Sequence, residues 1–448
     1  MAATVSSPRV VRAERIDAGA QVPVAIVGAG ACGLTAAIAL RDAGVDCLLL
    51  ERDATPSGST ALSSGFIPAA GTLAQRAQGI ADSVDGFAQD ILRKTDGTAA
   101  PHLVQAYAEA IAPAMDALAA HGLAFEVLDN FLYPGHRAHR MHTLPQRTGA
   151  ALVGALAGAA QAAGADLLPS ARVDELWVDA GGRVLGIGYE RPDGSTDLLG
   201  CDALLLACNG FGGNASLVRE LLPEMADATF AGHAGNDGSA ILWGRALGAG
   251  LADLGGYQGH GSWVVPQGAL MTWAVMMEGG VQLNAQGKRF HDETAGYSEA
   301  AVAVLAQPGG TAWNVFGDRQ LALARSFPDF VAAEQAGALR TAPDRAALAD
   351  IIGCNAAALA PEIARFGPPF HAVRVTGALF HTQGGLDIDE HCRVRRHDGT
   401  AFLNLLAAGG AARGVSGNAV WGYLSGNGLL SAVAGGWIAA RTMRLGTP

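Results

Sequence analysis

The chain begins its folded part with two apolar segments that are separated by a helical pattern. Residues 24–27 and 47–50 are continuous apolar runs, and small apolar residues recur at helical spacing between them. This pattern predicts a strand–helix–strand unit. Strands that are apolar throughout are typical of a parallel sheet covered on both faces. The pattern therefore predicts an α/β fold.

The same two patterns recur further along the chain. Alanine and leucine at helical spacing predict helices within residues 75–125 and over residues 150–163, and a closing helix is predicted from about residue 428. Strands are predicted over residues 166–168, 171–200, 203–206 and 402–408. The first and last parts of the chain thus share one style of apolar strand.

The middle of the chain differs from both ends. Residues 258–371 are more mixed and contain several aromatic residues. Because 448 residues are many for one core, two domains are expected. We predict a Rossmann-like nucleotide domain over residues 21–257 and 372–448, with an α+β capping domain, residues 258–371, inserted into it. Residues 1–20 are polar, with scattered arginines, and are expected to be a flexible tail.

Composition narrows the class of partner. The formal net charge of -11 argues against nucleic acid and against anionic membrane surfaces as partners. No apolar segment is a predicted membrane span. The six cysteines form no CxxC pair and match no haem or iron–sulfur spacing. We therefore expect reduced thiols, no metal and a cytoplasmic protein.

A glycine-rich turn joins the first predicted strand to the helix. Residues 28–33 read GAGACG. Gly28 permits a tight turn, Gly30 lets the backbone approach a pyrophosphate, and Gly33 lets the helix pack closely on the strand. The phosphates would face the N–H groups at the start of the helix. Glu51 ends the second strand, where a carboxylate can accept hydrogen bonds from a ribose, so a dinucleotide without a 2′-phosphate is predicted.

A Ser/Gly-rich loop over residues 57–66 follows this unit and offers further N–H and hydroxyl donors. No second GxGxxG pattern follows a later strand. A longer dinucleotide cofactor, FAD, is therefore favoured over NAD.

Short motifs occur here in the order typical of one flavoprotein group. They are GAGACG with Glu51, GSTALSSGF (58–66), RAHR (137–140), ACNGFGGN (207–214), GNDG (235–238) leading to QGH (258–260), GKRFHDE (287–293), HTQGG (381–385) and LLAAGG (405–410). The chain thus resembles the flavoproteins of the fumarate reductase and 3-ketosteroid dehydrogenase group over nearly its full length. The resemblance implies a glutathione-reductase-like FAD-binding domain and a capping domain that closes over the isoalloxazine ring.

The motifs and the resemblance together assign the residues expected at FAD. These are Gly28, Gly30, Ala31, Cys32, Gly33, Glu51, Arg52, Ser59, Thr60, Ser64, Gly65, Val173, Ala207, Asn209, Gly210, Asn214, Asp237, Gly409, Asn427 and Leu429. Members of the group that bind the flavin covalently use a histidine in the Ser/Gly-rich loop. Because residues 57–72 contain no histidine, the resemblance implies non-covalent FAD.

The departures from fumarate reductases concern the charged groups. The arginine that protonates the substrate there corresponds to Tyr297 here, and the relay glutamate corresponds to Trp273. The C-terminal arginine that clamps a dicarboxylate has no clear counterpart in residues 416–423. Since two carboxylates need cationic partners to offset their desolvation, fumarate and succinate are not expected as substrates.

The substituted pattern resembles ketosteroid dehydrogenases instead. There, a tyrosine at the Tyr297 position removes a proton while hydride leaves for flavin N5, and a C-terminal tyrosine, matched by Tyr423, holds the ketone oxygen. His381 matches a histidine that contacts a substrate oxygen. The resemblance thus implies Tyr297, Tyr423 and His381 as catalytic residues. Substrate contacts are expected from His260, Thr272, Trp273, Arg140 and Trp421.

These residues lead to one main hypothesis and two alternatives. The main one is an FAD-dependent oxidoreductase that desaturates, or reduces, a CH–CH bond beside the carbonyl of a small ketone, expected to be cyclic, or of an oxo-acid. It would exchange electrons with an external donor or acceptor. The first alternative is a reductase or dehydrogenase of a carboxylate anchored by His381 and Arg140. The second is a flavin electron-transfer subunit without its own substrate, against which the lack of haem and cluster ligands weighs.

Overall fold

Two β-sheets organise the chain in the computed structural model, which describes residues 8–130 and 132–446. The elements up to residue 221 are β1 (Arg9–Arg12), β2 (Ala20–Val27), α1 (Ala31–Asp42), β3 (Cys47–Leu50), α2 (Gly58–Leu62), β4 (Ile67–Pro68), α3 (Leu73–Ala77), α4 (Val84–Lys94), α5 (Pro101–Ala120), β5 (Glu126–Val127), β6 (Met141–Thr143), α6 (Gly149–Ala162), β7 (Asp166–Leu168), β8 (Arg172–Val178), β9 (Val184–Glu190), β10 (Thr196–Leu206) and α7 (Ala215–Leu221). The predicted strand–helix–strand unit is β2, α1 and β3, so that prediction is confirmed.

The capping part and the closing segment follow. Their elements are β11 (Thr229–Phe230), α8 (Ser239–Leu247), β12 (Leu251–Ala252), β13 (Tyr257–Val264), β14 (Ala269–Leu270), α9 (Ala274–Met277), β15 (Val281–Leu283), α10 (Tyr297–Leu305), β16 (Thr311–Phe316), α11 (Asp318–Ala324), α12 (Pro328–Gln335), β17 (Arg340–Ala342), α13 (Arg345–Ile352), α14 (Ala356–Leu359), β18 (Phe370–Thr382), β19 (Gly385–Leu386), β20 (Arg393–Arg395), β21 (Ala401–Ala407) and α15 (Asn427–Gly446). The predicted closing helix is α15.

The first sheet is parallel at its centre. Strands β10, β2, β3 and β7 lie side by side in parallel, and β21 pairs in parallel with the end of β10. Val24, Ala25 and Ile26 are fully buried, as expected for a sheet covered by helices on both faces. The carboxyl ends of β2, β3 and β10 therefore meet at one edge, which is where open α/β sheets bind ligands.

The beginning of the chain differs from the expected flexible tail. Residues 1–7 lie outside the described residues, but Arg9–Arg12 forms β1, which pairs in parallel with β8. Arg9 also forms an ion pair with Glu175 on β8. The strand has no apolar run because it lies at the sheet edge with both ends exposed. A pattern based on apolar residues therefore misses it.

The capping sheet extends beyond the expected domain boundary. Its central strand, β18, pairs antiparallel with β13 from Tyr257 opposite Thr382 to Val264 opposite Val375, and it also pairs with β16. A boundary at residue 371 would cut this strand near its start. The cap thus includes residues up to Thr382, and β11 joins it from upstream.

A tight backbone contact joins α1 to the glycine turn, and it can be tested with alanine. A Cβ at Gly33 would overlap the carbonyl oxygen of Gly28, whereas a Cβ at Gly154 on α6 would meet nothing within 4 Å. We expect Gly33→Ala to lower the free energy of unfolding by about 1–3 kcal/mol through overpacking. Gly154→Ala should raise it by about 0.5–1 kcal/mol through helix propensity. Urea unfolding measures both, and equal midpoints for the two variants would contradict the contact.

Candidate active site

A long cavity lies where the ends of β2, β3 and β10 face the capping sheet. Its empty space is about 2070 Å³, including the part that opens to solvent. One end is lined by the glycine turn and Glu51, and the other by His260, Tyr297 and Tyr423. The two ends differ in chemistry, because the first is rich in backbone amides and the second in aromatic rings.

The glycine turn brings bare backbone to the cavity wall. Gly28 has a φ of 107°, and a Cβ there would lie 2.6 Å from the carbonyl oxygen of Ala207 at the end of β10. The hydroxyl of Thr60 accepts a hydrogen bond of 2.9 Å from the N–H of Ala31. The first turn of α1 thus faces the cavity with its N–H groups, an arrangement that suits phosphate.

Glu51 is held as a hydrogen-bond acceptor beside this turn. Its two carboxylate oxygens accept from the N–H of Ala29 at 2.9 Å and from the N–H of Asp53 at 3.0 Å. The residue is 7% exposed and lines the cavity. A fixed acceptor at this place can bind ribose hydroxyls, as the sequence predicts.

Polar contacts join three loops around the same end. Ser59 accepts hydrogen bonds from the amides of Asn209 at 2.7 Å and Asn236 at 2.9 Å. Arg52 donates to the carboxylate of Asp237 at 3.0 Å. The bonds of Ser59 hold the Ser/Gly-rich loop against the segments that follow β10 and β11, and the bond of Arg52 links the end of β3 to the second of these segments.

The cavity fits FAD. It offers a turn without side chains, the first turn of α1, and the first turn of α15, where Gly428 and Leu429 line the wall. The hydroxyl of Ser431 on α15 is buried there without a hydrogen-bond partner among the described residues. The predicted cofactor residues that line this cavity are Gly28, Gly30, Ala31, Cys32, Glu51, Arg52, Ser59, Thr60, Ser64, Val173, Ala207, Asn209, Asp237, Gly409 and Leu429.

Other residues expected at FAD lie just behind the cavity wall: Gly33, Gly65, Gly210, Asn214 and Asn427. Their contacts support the wall. Asn214 caps α7 and donates to the backbone oxygen of Asp237 at 2.9 Å. A Cβ at Gly65 would lie 2.8 Å from the backbone oxygen of Thr148.

The other end of the cavity is a cluster of aromatic rings from both parts of the chain. Tyr297 begins α10 in the cap, and Tyr423 precedes α15 in the nucleotide domain. Their ring centroids are 6.0 Å apart in an edge-on arrangement. His260 on β13 stacks on Tyr297 at 4.9 Å, and Trp273 meets the edge of His260 at 5.8 Å. The structure thus brings together the two predicted catalytic tyrosines.

Burial changes the acidity of both phenols. Burial raises the pKa of Tyr423 to about 12, against the opposing effect of hydrogen bonds from the backbone of Gly428, from the hydroxyl of Tyr297 and from the backbone of Gly426. The pKa of Tyr297 is raised well above its usual value by burial and by Tyr423. A negative charge on the pair is therefore better accommodated on Tyr423, beside the start of α15.

The histidines at this end are neutral. Burial lowers the pKa of His260 to about 3, and it lowers that of His381 to about 4 although the nearby backbone of Thr382 favours the charged ring. The Nδ1 atom of His260 accepts from the N–H of Ser262 at 3.1 Å, so its proton lies on Nε2. These side chains can donate hydrogen bonds but carry no charge near neutral pH.

The structure places two of the expected substrate contacts, Arg140 and Trp421, outside the cavity lining, whereas Thr272 and Trp273 line it. Arg140 is 2% exposed and forms ion pairs with Asp82, at 2.7 Å, and with Asp90. These two carboxylates neutralise its charge and hold it away from the substrate end. Trp421 is 41% exposed.

Sequence reasoning missed further residues at the aromatic end: Tyr133, Phe380, Gln383, Ser425 and Ser431. Gln383 lies within the HTQGG motif and Ser425 follows Tyr423, so position in the motif was the available signal. Tyr133 and Phe380 carried no signal of their own.

The arginines within the described lining, Arg52 and Arg172, lie at the nucleotide end. Ala171, next to Arg172, donates to the backbone of Glu51 there at 2.8 Å.

Comparison with known proteins agrees with this geometry. A family profile described as an FAD binding domain matches residues 23–429. A probable fumarate reductase of Shewanella frigidimarina is 27% identical over 93% of this chain and 74% of its own length. An NADH:fumarate oxidoreductase of Klebsiella pneumoniae is 27% identical over 88% of this chain, which spans 45% of that protein.

Solved structures show the same fold. A flavocytochrome c3 fumarate reductase in an open conformation matches 96% of this chain and 79% of its own, with a TM-score of 0.81 and 26% identity. A 3-ketosteroid-Δ4-(5α)-dehydrogenase of Rhodococcus jostii RHA1 matches 98% of this chain and all of its own (100%), with a TM-score of 0.78 and 23% identity. The second likeness is one of fold alone.

The chain belongs to this FAD binding domain family. It is an FAD-dependent oxidoreductase of the group that acts on CH–CH bonds, so the predicted family, the fold class and FAD as the cofactor are confirmed. Within residues 8–130 and 132–446, no helix is both long and apolar enough to cross a membrane.

Buried neutral histidines make stability depend on pH. Burial lowers the pKa of His136 from 6.5 to about 4, as it does for His381. Protonation of these two histidines is disfavoured in the folded state. Their contribution to the free energy of unfolding is therefore complete above pH 6.5 and is lost as the pH falls through about 4. We expect His136→Gln to reduce this loss by at most about 1.4 kcal/mol per pH unit. Urea unfolding from neutral to acidic pH measures it.

The matched control is His391→Gln, which changes a histidine whose side chain is 54% exposed. It should leave the pH dependence of unfolding unchanged. Equal pH slopes for His136→Gln and the unaltered protein would contradict a neutral His136 in the folded state.

Proposed function

We propose that this enzyme transfers hydrogen to or from a CH–CH bond beside the carbonyl of a small ketone, expected to be cyclic, or of an oxo-acid. The observation that carries the proposal is the buried pair Tyr297 and Tyr423 at the start of α15. No arginine or lysine among the described residues lines that end of the cavity. A neutral carbonyl substrate suits such a place better than a dicarboxylate does.

The chain's own residues supply the proton transfer and the oxygen contact. FAD, when bound by the glycine turn, Glu51 and the start of α15, supplies a hydride acceptor or donor for the carbon β to the carbonyl. Tyr297 holds the proton that is exchanged with the α-carbon. Tyr423 donates a hydrogen bond to the carbonyl oxygen, on which negative charge develops. One such donor is typically worth about 2.7–4 kcal/mol of transition-state stabilisation.

The acidity of the tyrosines bears on the direction of reaction. A raised pKa keeps Tyr297 protonated at neutral pH, which is the state needed to protonate a substrate during reduction of a double bond. Removal of a proton requires deprotonated Tyr297, a state that burial and the neighbouring Tyr423 both disfavour. The resting state of the pair thus favours ene-reduction.

A carboxylate substrate is the second candidate. The relatives named fumarate reductases, at 27% identity, favour it, and His381, one of its two expected anchors, lines the cavity. Its other expected anchor, Arg140, is bound to Asp82 and Asp90 behind the wall. A neutral histidine alone compensates poorly for the desolvation of carboxylates, so this candidate ranks second.

Non-covalent FAD, an external electron donor or acceptor and a cytoplasmic location complete the proposal. Residues 57–72 contain no histidine that could bond the flavin. We expect acid precipitation of the holoenzyme to release all of the yellow cofactor into the supernatant, measured by its absorbance. Colour that stays with the precipitated chain after washing would contradict a dissociable cofactor.

Replacement of the proposed proton donor is the main test of function. Tyr297→Phe should retain FAD but lower kcat/KM for cyclic enones about 10²- to 10⁴-fold, because general acid–base catalysis contributes that much. Tyr423→Phe should lower it by about 10²- to 10³-fold. Anaerobic mixing of the reduced holoenzyme with a panel of cyclic enones, followed by flavin absorbance, measures each rate.

The matched control is Tyr189→Phe, which removes a hydroxyl from β9, outside the described cavity lining. It should leave the rates unchanged. Full turnover by Tyr297→Phe would refute its proposed role, and a flavin spectral shift with simple dicarboxylates, without turnover of any enone, would favour the second candidate.

A further inference from the structure

A chain of buried polar side chains connects the start of α15 to His381. The amide Nδ2 of Asn427 donates to the hydroxyl of Ser416 at 3.0 Å, and that hydroxyl donates to Oε1 of Gln383 at 3.0 Å. The Nε2 of Gln383 then lies 3.1 Å from Nδ1 of His381. Asn427, Ser416 and Gln383 are all buried. The chain therefore ends on the ring of a residue that lines the cavity.

The direction of these bonds determines which nitrogen of His381 carries the proton. An amide nitrogen can only donate, and a hydroxyl has one proton to give. When Asn427 donates to Ser416, the hydroxyl proton is left for Gln383, whose own amide nitrogen then donates to the histidine. Nδ1 of His381 is consequently an acceptor, and the ring proton lies on Nε2.

One competing contact would favour the other tautomer. The backbone oxygen of Thr382 lies 3.4 Å from the same Nδ1 and could accept a proton from it. The contact from Gln383 is shorter, at 3.1 Å, and it is the end of a connected chain. Because burial lowers the pKa of His381 to about 4, the ring has a single proton near neutral pH and must adopt one tautomer or the other.

The Nε2 side of the ring lies next to the proposed oxygen-binding place. A Cβ at Gly428 would be 2.8 Å from this nitrogen, and the ring of Tyr423 meets His381 edge-on at 5.7 Å. The backbone of Gly428 also faces the hydroxyl of Tyr423. A proton on Nε2 would thus lie beside the hydroxyl of Tyr423, the other donor proposed for the same substrate oxygen.

We infer that Gln383 is a positioning residue that holds His381 in the Nε2–H tautomer, so that His381 donates a hydrogen bond to the substrate's carbonyl oxygen together with Tyr423. The inference rests on the proposed function for the identity of that oxygen. It assigns the site two neutral donors directed at one oxygen, an arrangement that selects a neutral carbonyl over a carboxylate.

The first test measures the ring tautomer of His381 and does not require turnover. Nitrogen-15 NMR of the holoenzyme with labelled histidines distinguishes a protonated ring nitrogen from an unprotonated one, and His381→Gln identifies the relevant signals. We expect an unprotonated Nδ1 in the unaltered enzyme and a mixture of tautomers in Gln383→Met. Gln320→Met is the matched control, since Gln320 is also buried and donates to the backbone oxygen of Glu278 at 2.8 Å, away from the cavity.

The second test measures kcat/KM with cyclohex-2-enone as the substrate probe. Gln383→Met should lower kcat/KM about 10- to 100-fold, as loss of a partner that orients a histidine does elsewhere, with FAD content unchanged. In Gln383→Glu, the new carboxylate should accept a hydrogen bond from Nδ1 of His381. The single ring proton would then lie on Nδ1, and Nε2 would have none to donate. The activity of this variant should therefore rise as the pH falls and the ring becomes doubly protonated, a pH profile that a loss of packing would not produce.

Each outcome bears on the inference separately from the proposed function. A protonated Nδ1 in the unaltered holoenzyme, or a Gln383→Met enzyme that matches Gln320→Met in both tests, would overturn it. An Nε2–H tautomer that is lost in Gln383→Met supports the positioning role even where no enone is turned over. In that case, it is the proposed reaction that fails.

Discussion

Close contact between bare backbones at the glycine turn is the constraint on which the cavity depends. Gly28 lies against the end of β10 and Gly33 against Gly28 itself, so α1 begins directly at the edge of the sheet. A side chain at either position would move the helix outward and separate its N–H groups from the wall. The same turn holds Glu51 through Ala29, and the acceptor for a ribose and the donors for phosphates are thus fixed by one local structure.

The aromatic end of the cavity is governed by desolvation instead. Burial raises the pKa of both tyrosines and lowers that of both histidines, so all four side chains are neutral near neutral pH. Their selectivity must then come from hydrogen-bond direction and ring packing. Arg140 is paired with Asp82 and Asp90 behind the wall.

Local features of the fold were predictable from the sequence, and features set by distant partners were not. The strand–helix–strand unit and its glycine turn follow from neighbouring residues, as does the position of Glu51. Strand β1 was missed because an edge strand needs no apolar run, and the cap boundary was misplaced because β18 is defined by its pairing with β13. Arg140 was predicted to contact the substrate. Its ion-pair partners, Asp82 and Asp90, lie 58 and 50 positions away, so the sequence does not reveal the pairing. Gln383 acquires its role only through Ser416 and Asn427.

The two catalytic candidates come from different domains, since Tyr297 begins a helix of the cap and Tyr423 precedes the last helix of the nucleotide domain. Their contact, with ring centroids 6.0 Å apart, therefore depends on how these two parts of the chain pack against each other. A substitution that shifts this packing would change the distance between the proton donor and the residue that holds the oxygen, without altering either tyrosine.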